Sequence, residues 1–373
     1  MKQQVCKRCV MDNMGDPTIQ FDKNGYCNYC TTAISTKHLC YFPNDEGKKK
    51  LENLFQKIKD QGKNQRYDCM LGLSGGLDSS YVAYIGCQYG LRMLALHIDD
   101  GFDAPQTTKN IDKVCDSYGI DLIVEKPNEE QFADFTRAFL RAGVPNIAIP
   151  QDNVLFASLY KYAQENRIKY LLSGSNFALE SILQKGHTYD AMDKVHIIDI
   201  QRRFGELKYD GTLPLFSILE KRIKYQYLFK IRTICPLNYV DYNAQCAFNT
   251  LHETCGFEYY GDKHCESILT RFMQRHYLPK KFGVDKRKSH YSSMIVSGQM
   301  TRDEALNRLS EPLYEEEQLK KDLEIILNKL SISMEEYDKI MGEAPKNHFD
   351  YRTSLINRGS QTLLKMRQKI IGY

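Results

Sequence analysis

Apolar residues in the first half of the chain gather into four short runs, Cys69 to Leu73, Met93 to Ile98, Ile120 to Val124 and Lys169 to Leu172. Runs of this length bounded by turn residues read as buried strands, and the mixed stretches after the first two, closed by Gly90 and Gly119, read as helices. Strand alternating with helix predicts a parallel sheet wrapped by helices, in which ligands collect at the carboxyl ends of the strands. Three such ends are polar and contain glycine, at 74–80, 99–101 and 173–176, and the topology predicts that they lie side by side.

The pattern changes on either side of this unit. Leu51, Leu54, Phe55 and Ile58 at helical spacing among lysines predict an amphipathic helix over 46–66. Residues 180–290 are less regular and rich in Tyr, His and basic groups. Beyond them Thr301-Arg-Asp-Glu304 and Ser333-Met-Glu-Glu336 read as capping boxes, and Leu319, Leu323, Ile326, Leu327 and Leu330 share one helical face. A length of 373 residues exceeds what one core usually serves. The expected organisation is a small metal-binding segment at 1–45, a linker helix at 46–66, the α/β domain at 67–200 and a mixed, then helical, region at 201–373.

Composition changes this picture little. Hydrophobic residues at 42% and charged residues at 26% are ordinary globular values. A net charge of +4 is too small for a nucleic-acid coat, and the basic stretch from Lys280 to Lys288 suits a local anionic ligand or a solvated loop. No apolar run approaches the roughly 18–20 residues that span a bilayer, and the N-terminus lacks an export pattern. The expectation is a cytoplasmic protein with no membrane partner, whose twelve cysteines are reduced thiols or metal ligands.

Cys6-Lys-Arg-Cys9 and Cys27-Asn-Tyr-Cys30, with 17 residues between the pairs, have the spacing of a four-thiolate zinc ribbon, and Asp22 to Gly25 supplies the hairpin turn between the knuckles. Four thiolates complete a tetrahedron, so the zinc is read as structural; a redox-active dithiol pair is the alternative. Cys255, His264 and Cys265 match no known knuckle spacing and lack an evident fourth ligand.

The main candidate for chemistry is Ser74-Gly75-Gly76-Leu77-Asp78-Ser79-Ser80. A Gly-Gly turn between strand and helix aims backbone N–H groups and the positive end of the helix dipole at an anion, and the three hydroxyls can donate further bonds. A carboxylate in a phosphate nest repels unless a cation bridges the two, which assigns Asp78 to Mg²⁺. A Walker loop would need Gly-Lys followed by Ser or Thr, and that lysine is absent.

This Ser-Gly-Gly-x-Asp-Ser form resembles the PP-loop of the ATP pyrophosphatases. The resemblance implies that ATP is bound, that attack falls on the α-phosphorus, and that pyrophosphate leaves. Further stretches widen it: Cys-Lys-Arg-Cys-Val-Met11, Glu258-Tyr-Tyr260-Gly-x-Lys263-His264-x-Glu266-Ser267, Phe282-Gly-Val-Asp-Lys286-Arg287-Lys288-Ser-His290 and Ser297-Gly-Gln-Met-Thr-Arg-Asp-Glu-Ala305. Together they are similar to the N-acetyl sugar amidotransferases of bacterial surface-polysaccharide and flagellin-glycan synthesis, some of which act on nucleotide-linked uronic sugars and others on nonulosonic acids of the pseudaminic type.

That resemblance implies an AMP-forming C–N ligase converting a sugar acetamido group to an acetamidino group with ATP and ammonia. The residues it singles out are Ser74, Asp78 and Lys286 for catalysis and 74–80, Ile98, Asp99, Gly174 and Asn176 for the nucleotide. Tyr260, Lys263, His264, Glu266, Arg271, Lys286, Arg287 and His290 are expected at the sugar. Two departures stand out: Cys265 occupies a position where a second histidine is expected, and Ser173-Gly-Ser-Asn176 replaces an acidic Gly-Glu-Asn form. Ammonia is expected either free or from a separate glutaminase with a cyclase-like subunit, as in imidazole glycerol phosphate synthase, because the second residue is Lys2 and no stretch reads as a glutaminase. A tRNA-thiolating PP-loop enzyme is the alternative; it would need a reactive cysteine at the ATP site, for which Cys235, Cys246, Cys255 and Cys265 are available.

Overall fold

In the computed structural model, which describes residues 3–259 and 265–358, the four expected strands form and a fifth joins them. β1 (Cys69–Gly72), β2 (Met93–Ile98), β3 (Asp121–Glu125), β4 (Tyr170–Leu172) and β5 (Arg232–Ile234) make one parallel sheet in the order β3-β2-β1-β4-β5. β5 comes from the irregular region after residue 200. It is three residues long with Arg232 and Thr233 exposed, so it carries no apolar run to announce it.

The strands alternate their side chains between two cores, as the period of two requires. Met70, Leu94 and Leu96 face a layer containing Phe135, Phe139, Val154 and Tyr160 from the helices Glu129–Arg141 and Ile149–Glu165. Cys69, Leu71, Met93 and Ala95 face the opposite layer, with Val82, Ile111 and Val114 from the helices Leu77–Gln88 and Pro105–Tyr118. Connections from β1 to β2 and β2 to β3 thus cross one face, and the connection from β3 to β4 crosses the other. Strand order reverses at β1, which opens a crevice at the carboxyl ends of β1 and β4.

The N-terminal four-cysteine segment packs on this second layer. The bridge Phe21–Cys27 and the Gly25 N–H to Asp22 carbonyl bond (2.9 Å) form the expected hairpin. Leu51, Phe55 and Ile58 of the helix Asp45–Gly62 are fully covered, so this linker belongs to the core. Thr301 and Glu304 make the expected reciprocal cap of the helix Arg302–Leu309, and Ser333 accepts from the Glu336 N–H. Among the described residues no helix is long and apolar enough to cross a membrane.

Candidate active site

The turn after β1 sits at that crevice. Gly75 takes φ +70°, and a Cβ there would lie 2.6 Å from the Thr107 carbonyl, so the position demands glycine on two counts. Ser74 Oγ accepts from the Gly76 N–H at 3.2 Å and lies 3.1 Å from Ser79 Oγ. The helix Leu77–Gln88 has Gly76 at its N-cap and no side chain capping it, which leaves its positive end turned to the crevice. A Cβ at Gly174, beyond β4, would stand 3.0 Å from the Ser79 N–H, so the β4 end closes against the turn.

Two cavities meet at this turn, and Ser74, Asp78, Ser79 and Glu266 line both. The first, about 490 Å³, runs over the ends of β1, β2 and β4 and includes His97, Ile98, Asp100, Gln151, Asp152, Gly174, His187, Thr188 and Lys286. The second, about 610 Å³, lies over Gly76 and Leu77 and is walled by Phe248, Tyr259, His290, Tyr291, Met294, Met300 and Arg308. Both volumes are in the range of small-molecule sites. A third, about 130 Å³, adjoins Lys286, Arg287 and His290.

The first cavity is acidic. Among the described residues, Asp78, Asp100, Asp103, Asp152, Glu180 and Glu266 face it against one lysine and no arginine. A polyphosphate can enter such a lining only with divalent cations, which fits Asp78 as a Mg²⁺ ligand. Burial lifts the Asp100 and Asp152 carboxyls to about 6. Burial also opposes the charge on His97, yet the hydrogen bond and negative charge of Asp103, 2.8 Å from Nε2, outweigh it and shift this imidazole upward.

Among the described residues, Lys286 is the one lysine or arginine lining the first cavity. It opens the helix Lys286–Ser297 behind the Asp285 cap, lines the first and third cavities, and has no carboxylate within ion-pairing distance among the described residues. Burial pulls its ammonium down to about 8, opposed by the charge of Asp16.

The residues singled out from the sequence divide. Ser74, Gly76, Leu77, Asp78, Ser79, Ile98, Gly174, Glu266, Lys286 and His290 line one or more cavities, and Arg287 touches only the third. Arg287 is spent on Asp285 (Nη2–Oδ2 3.0 Å) and on the Arg308, Leu309 and Glu311 carbonyls. Arg271 is not brought to the cavities: it clasps buried Asp322 through Nε and Nη2, at 2.7 and 2.9 Å. Asp99 turns away to Lys126, 2.8 Å away. Asn176 is a buried cap for the helix Phe177–Glu180, and Gly75 and Ser80 support the turn from within. Tyr260, Lys263 and His264 lie outside the described residues.

Sequence reasoning missed Tyr242. Its buried phenol donates to Asp78 Oδ1, while its carbonyl accepts from Gln299 Nε2. It also missed His97, Asp152, Phe248 and Arg308, of which polarity and position at a strand or helix could have flagged the first two, and within the strand end 99–101 it singled out Asp99 rather than Asp100.

Cys6, Cys9, Cys27 and Cys30 are fully buried, and their sulfurs lie within 4.8 Å of one another. The Cys6–Cys30 and Cys9–Cys27 separations are 3.8 and 3.6 Å, close to the edge of about 3.8 Å that a tetrahedron with Zn–S bonds of about 2.3 Å demands. The Cys9 and Cys27 N–H groups point at Cys6 Sγ and the Cys30 N–H at Cys27 Sγ, as thiolate ligands require. The donor set fits structural zinc. Among the described residues there is no second such cluster, and Cys255 donates to the Leu251 carbonyl instead. The four-cysteine segment braces the helix that carries Lys286 and the helix after it: the Val10 N–H donates to Ser292 Oγ (3.2 Å) and Lys288 pairs with Asp12 (2.5 Å), while Arg302, at the start of the helix Arg302–Leu309, donates from Nε to the Cys9 carbonyl (3.1 Å).

Comparison with known proteins places a label on the second half only. Residues 266–365 match the family model described as LPS biosynthesis protein WbpG-like, C-terminal domain. No curated protein matches the chain. Among solved structures the chain is similar to NMN synthetase from Francisella tularensis, at 16% identity and a TM-score of 0.30 over 57% of this chain and 94% of that one. It is also similar to the NH3-dependent NAD synthetase from Campylobacter jejuni subsp. jejuni NCTC 11168 in complex with nitrate ion. That match has 15% identity and a TM-score of 0.31 over 80% of this chain and 98% of that one. Likeness this slight carries no argument, and the fold stands on its own sheet topology.

Proposed function

We propose that this protein is an ATP-dependent amidotransferase that converts the acetamido group of an N-acetyl sugar to an acetamidino group for a bacterial surface polysaccharide, releasing AMP and pyrophosphate. The observation that carries the reading is the Ser74–Ser80 turn, whose Asp78 stands where two ligand-sized cavities join. The WbpG-like segment at 266–365 supports the polysaccharide setting, since it supplies Glu266, Lys286 and His290 to those cavities.

An acetamide resists ammonia because its oxygen is a poor leaving group. The amide oxygen attacks the α-phosphorus, the bond to the bridging oxygen breaks, and pyrophosphate leaves. Ammonia then adds to the imidate carbon, loses a proton, and AMP departs with the former amide oxygen. Mg²⁺, held by Asp78, would neutralise the departing pyrophosphate. The chain's own part is positional and electrostatic: the turn's N–H groups and the Ser74 and Ser79 hydroxyls grip phosphate oxygens, and Lys286 offers positive charge to an anionic group in the first cavity.

Among the described residues no cysteine lines any of the three cavities, which counts against sulfur transfer. The deciding experiment is AMP and pyrophosphate release from ATP with ammonium and a panel of acetamido sugars, free and nucleotide-linked, with Asp78→Ala as control. The reading requires sugar-dependent release in the wild type and none in the variant. Release that depends on tRNA and a sulfur donor would replace it. Adding glutamine without ammonium asks whether a separate glutaminase subunit is needed; efficient use of glutamine by the purified chain alone would refute that need.

A further inference from the structure

One face of the molecule, remote in sequence from the phosphate turn, is left uncovered among the described residues. The helix Glu220–Leu228 is widely wound, with the Phe229 N–H reaching back to the Lys224 carbonyl at 3.0 Å. Its inner side is pinned by Tyr225, whose ring sits 5.1 Å from Tyr160 and 5.6 Å from Phe216. Its outer side is apolar. Leu219, Ile223 and Tyr227, spaced by four and therefore on one face, are 54%, 56% and 76% exposed, and Leu228 beside them is 62% exposed. None of the three cavities described above includes these residues.

Charge says what would cover it. From Lys221 to Val240 the chain has no Asp or Glu and carries Lys221, Arg222, Lys224, Lys230 and Arg232. Arg222, Lys224, Lys230 and Arg232 are exposed, and none of the four makes an ion pair among the described residues. The acid just before them, Glu220, is turned back onto the Ser217 N–H and hydroxyl, at 2.8 and 2.7 Å. An apolar and aromatic stripe flanked by exposed, unpaired cations suits the boundary between anionic headgroups and acyl chains. A nucleic acid would match the cations and leave the leucines and isoleucine without a role.

We propose that the helix Glu220–Leu228, with Lys230 and Arg232, docks this protein on an anionic lipid bilayer. Leu219, Ile223 and Tyr227 enter the headgroup boundary, and the flanking cations meet lipid phosphates. This departs from the expectation of no membrane partner, which rested on the lack of a spanning run and of an export pattern, and it does not depend on the proposed chemistry.

The test is flotation of the full chain with vesicles of phosphatidylcholine and phosphatidylglycerol, against vesicles of phosphatidylcholine alone, at low and high salt. The expected result is binding to the anionic vesicles that weakens with salt. Arg222→Gln and Lys224→Gln should each lower partitioning roughly fivefold, and Ile223→Ser and Tyr227→Ser roughly tenfold each, with unchanged circular dichroism and ATP-induced thermal shift. Binding that ignores lipid charge, or that survives all four substitutions, overturns the proposal. So does a dimer in light scattering that Ile223→Ser dissociates, since a second copy would then cover the face.

Discussion

Tyr242→Phe isolates one hydrogen bond at the centre of the site. The phenol of this buried residue donates to Asp78 Oδ1, and its ring packs 5.6 Å from Tyr81, a contact that phenylalanine keeps. The substitution therefore removes the donor without opening a cavity. A hydrogen bond to a charged group contributes about 1.5–3 kcal/mol, and because Asp78 is only half-buried the lower end applies. About 1.5 kcal/mol corresponds to roughly tenfold in an equilibrium constant. If the phenol orients Asp78 for Mg²⁺, that loss appears in metal affinity: the Mg²⁺ concentration for half-maximal pyrophosphate release rises about tenfold, and much of the rate returns at saturating Mg²⁺. Titrating Mg²⁺ in a pyrophosphate-release assay at fixed ATP reads this directly. A Mg²⁺ dependence identical to wild type, with the protein folded, would refute the orienting role; a rate loss that Mg²⁺ cannot restore would point to direct action on the substrate instead.

Three further outcomes are expected. Lys286 holds fewer protons when folded than when unfolded between pH 8 and 10.5, so its contribution makes stability rise with pH across that window; urea melts at the two ends should show the rise in wild type and a flatter profile in Lys286→Met. Gly75→Ala forces a left-handed L-residue and a 2.6 Å approach to Thr107, and should cost about 1–2 kcal/mol or more in the same melts while weakening ATP binding in calorimetry. Removing the metal by chelation, or by Cys27→Ser, should abolish the zinc detected by mass spectrometry and make the 3–40 segment sensitive to trypsin; it should also lower activity because the brace on the Lys286 helix goes with it. Zinc-free protein with full activity and unchanged proteolysis would contradict that coupling.

How much of this was legible in the sequence follows from which physical rule each residue obeys. β1 to β4 and the phosphate turn obey local rules, periodicity and glycine geometry, and a one-dimensional pattern records those. β5 obeys none of them: it is a strand only because β4 offers it an edge. Tyr242 reaches Asp78 across 164 residues from an irregular loop, and nothing near either residue encodes the meeting. Arg271 and Arg287 are expected at the sugar because they fall in or beside the stretches that carry the family resemblance, but an irregular region also needs cations to fasten it. Asp322, Asp285 and the carbonyls around 308–311 take both guanidiniums.

The end of β2 shows how narrow the margin is. Ile98 and Asp100 line the first cavity, whereas Asp99 between them points to Lys126. Alternation along an extended chain puts neighbours on opposite sides, so a site reading displaced by one residue selects the wrong carboxylate. The consequence is chemical: Asp99 is paired and held below the usual carboxylate range by Lys126, while Asp100 faces the cavity and is lifted by desolvation to about 6, able to exchange a proton near neutral pH. Asp100→Asn should therefore change the pH profile of pyrophosphate release around 6, and Asp99→Asn should leave it unmoved; the reverse result would put the cavity on the other side of the strand.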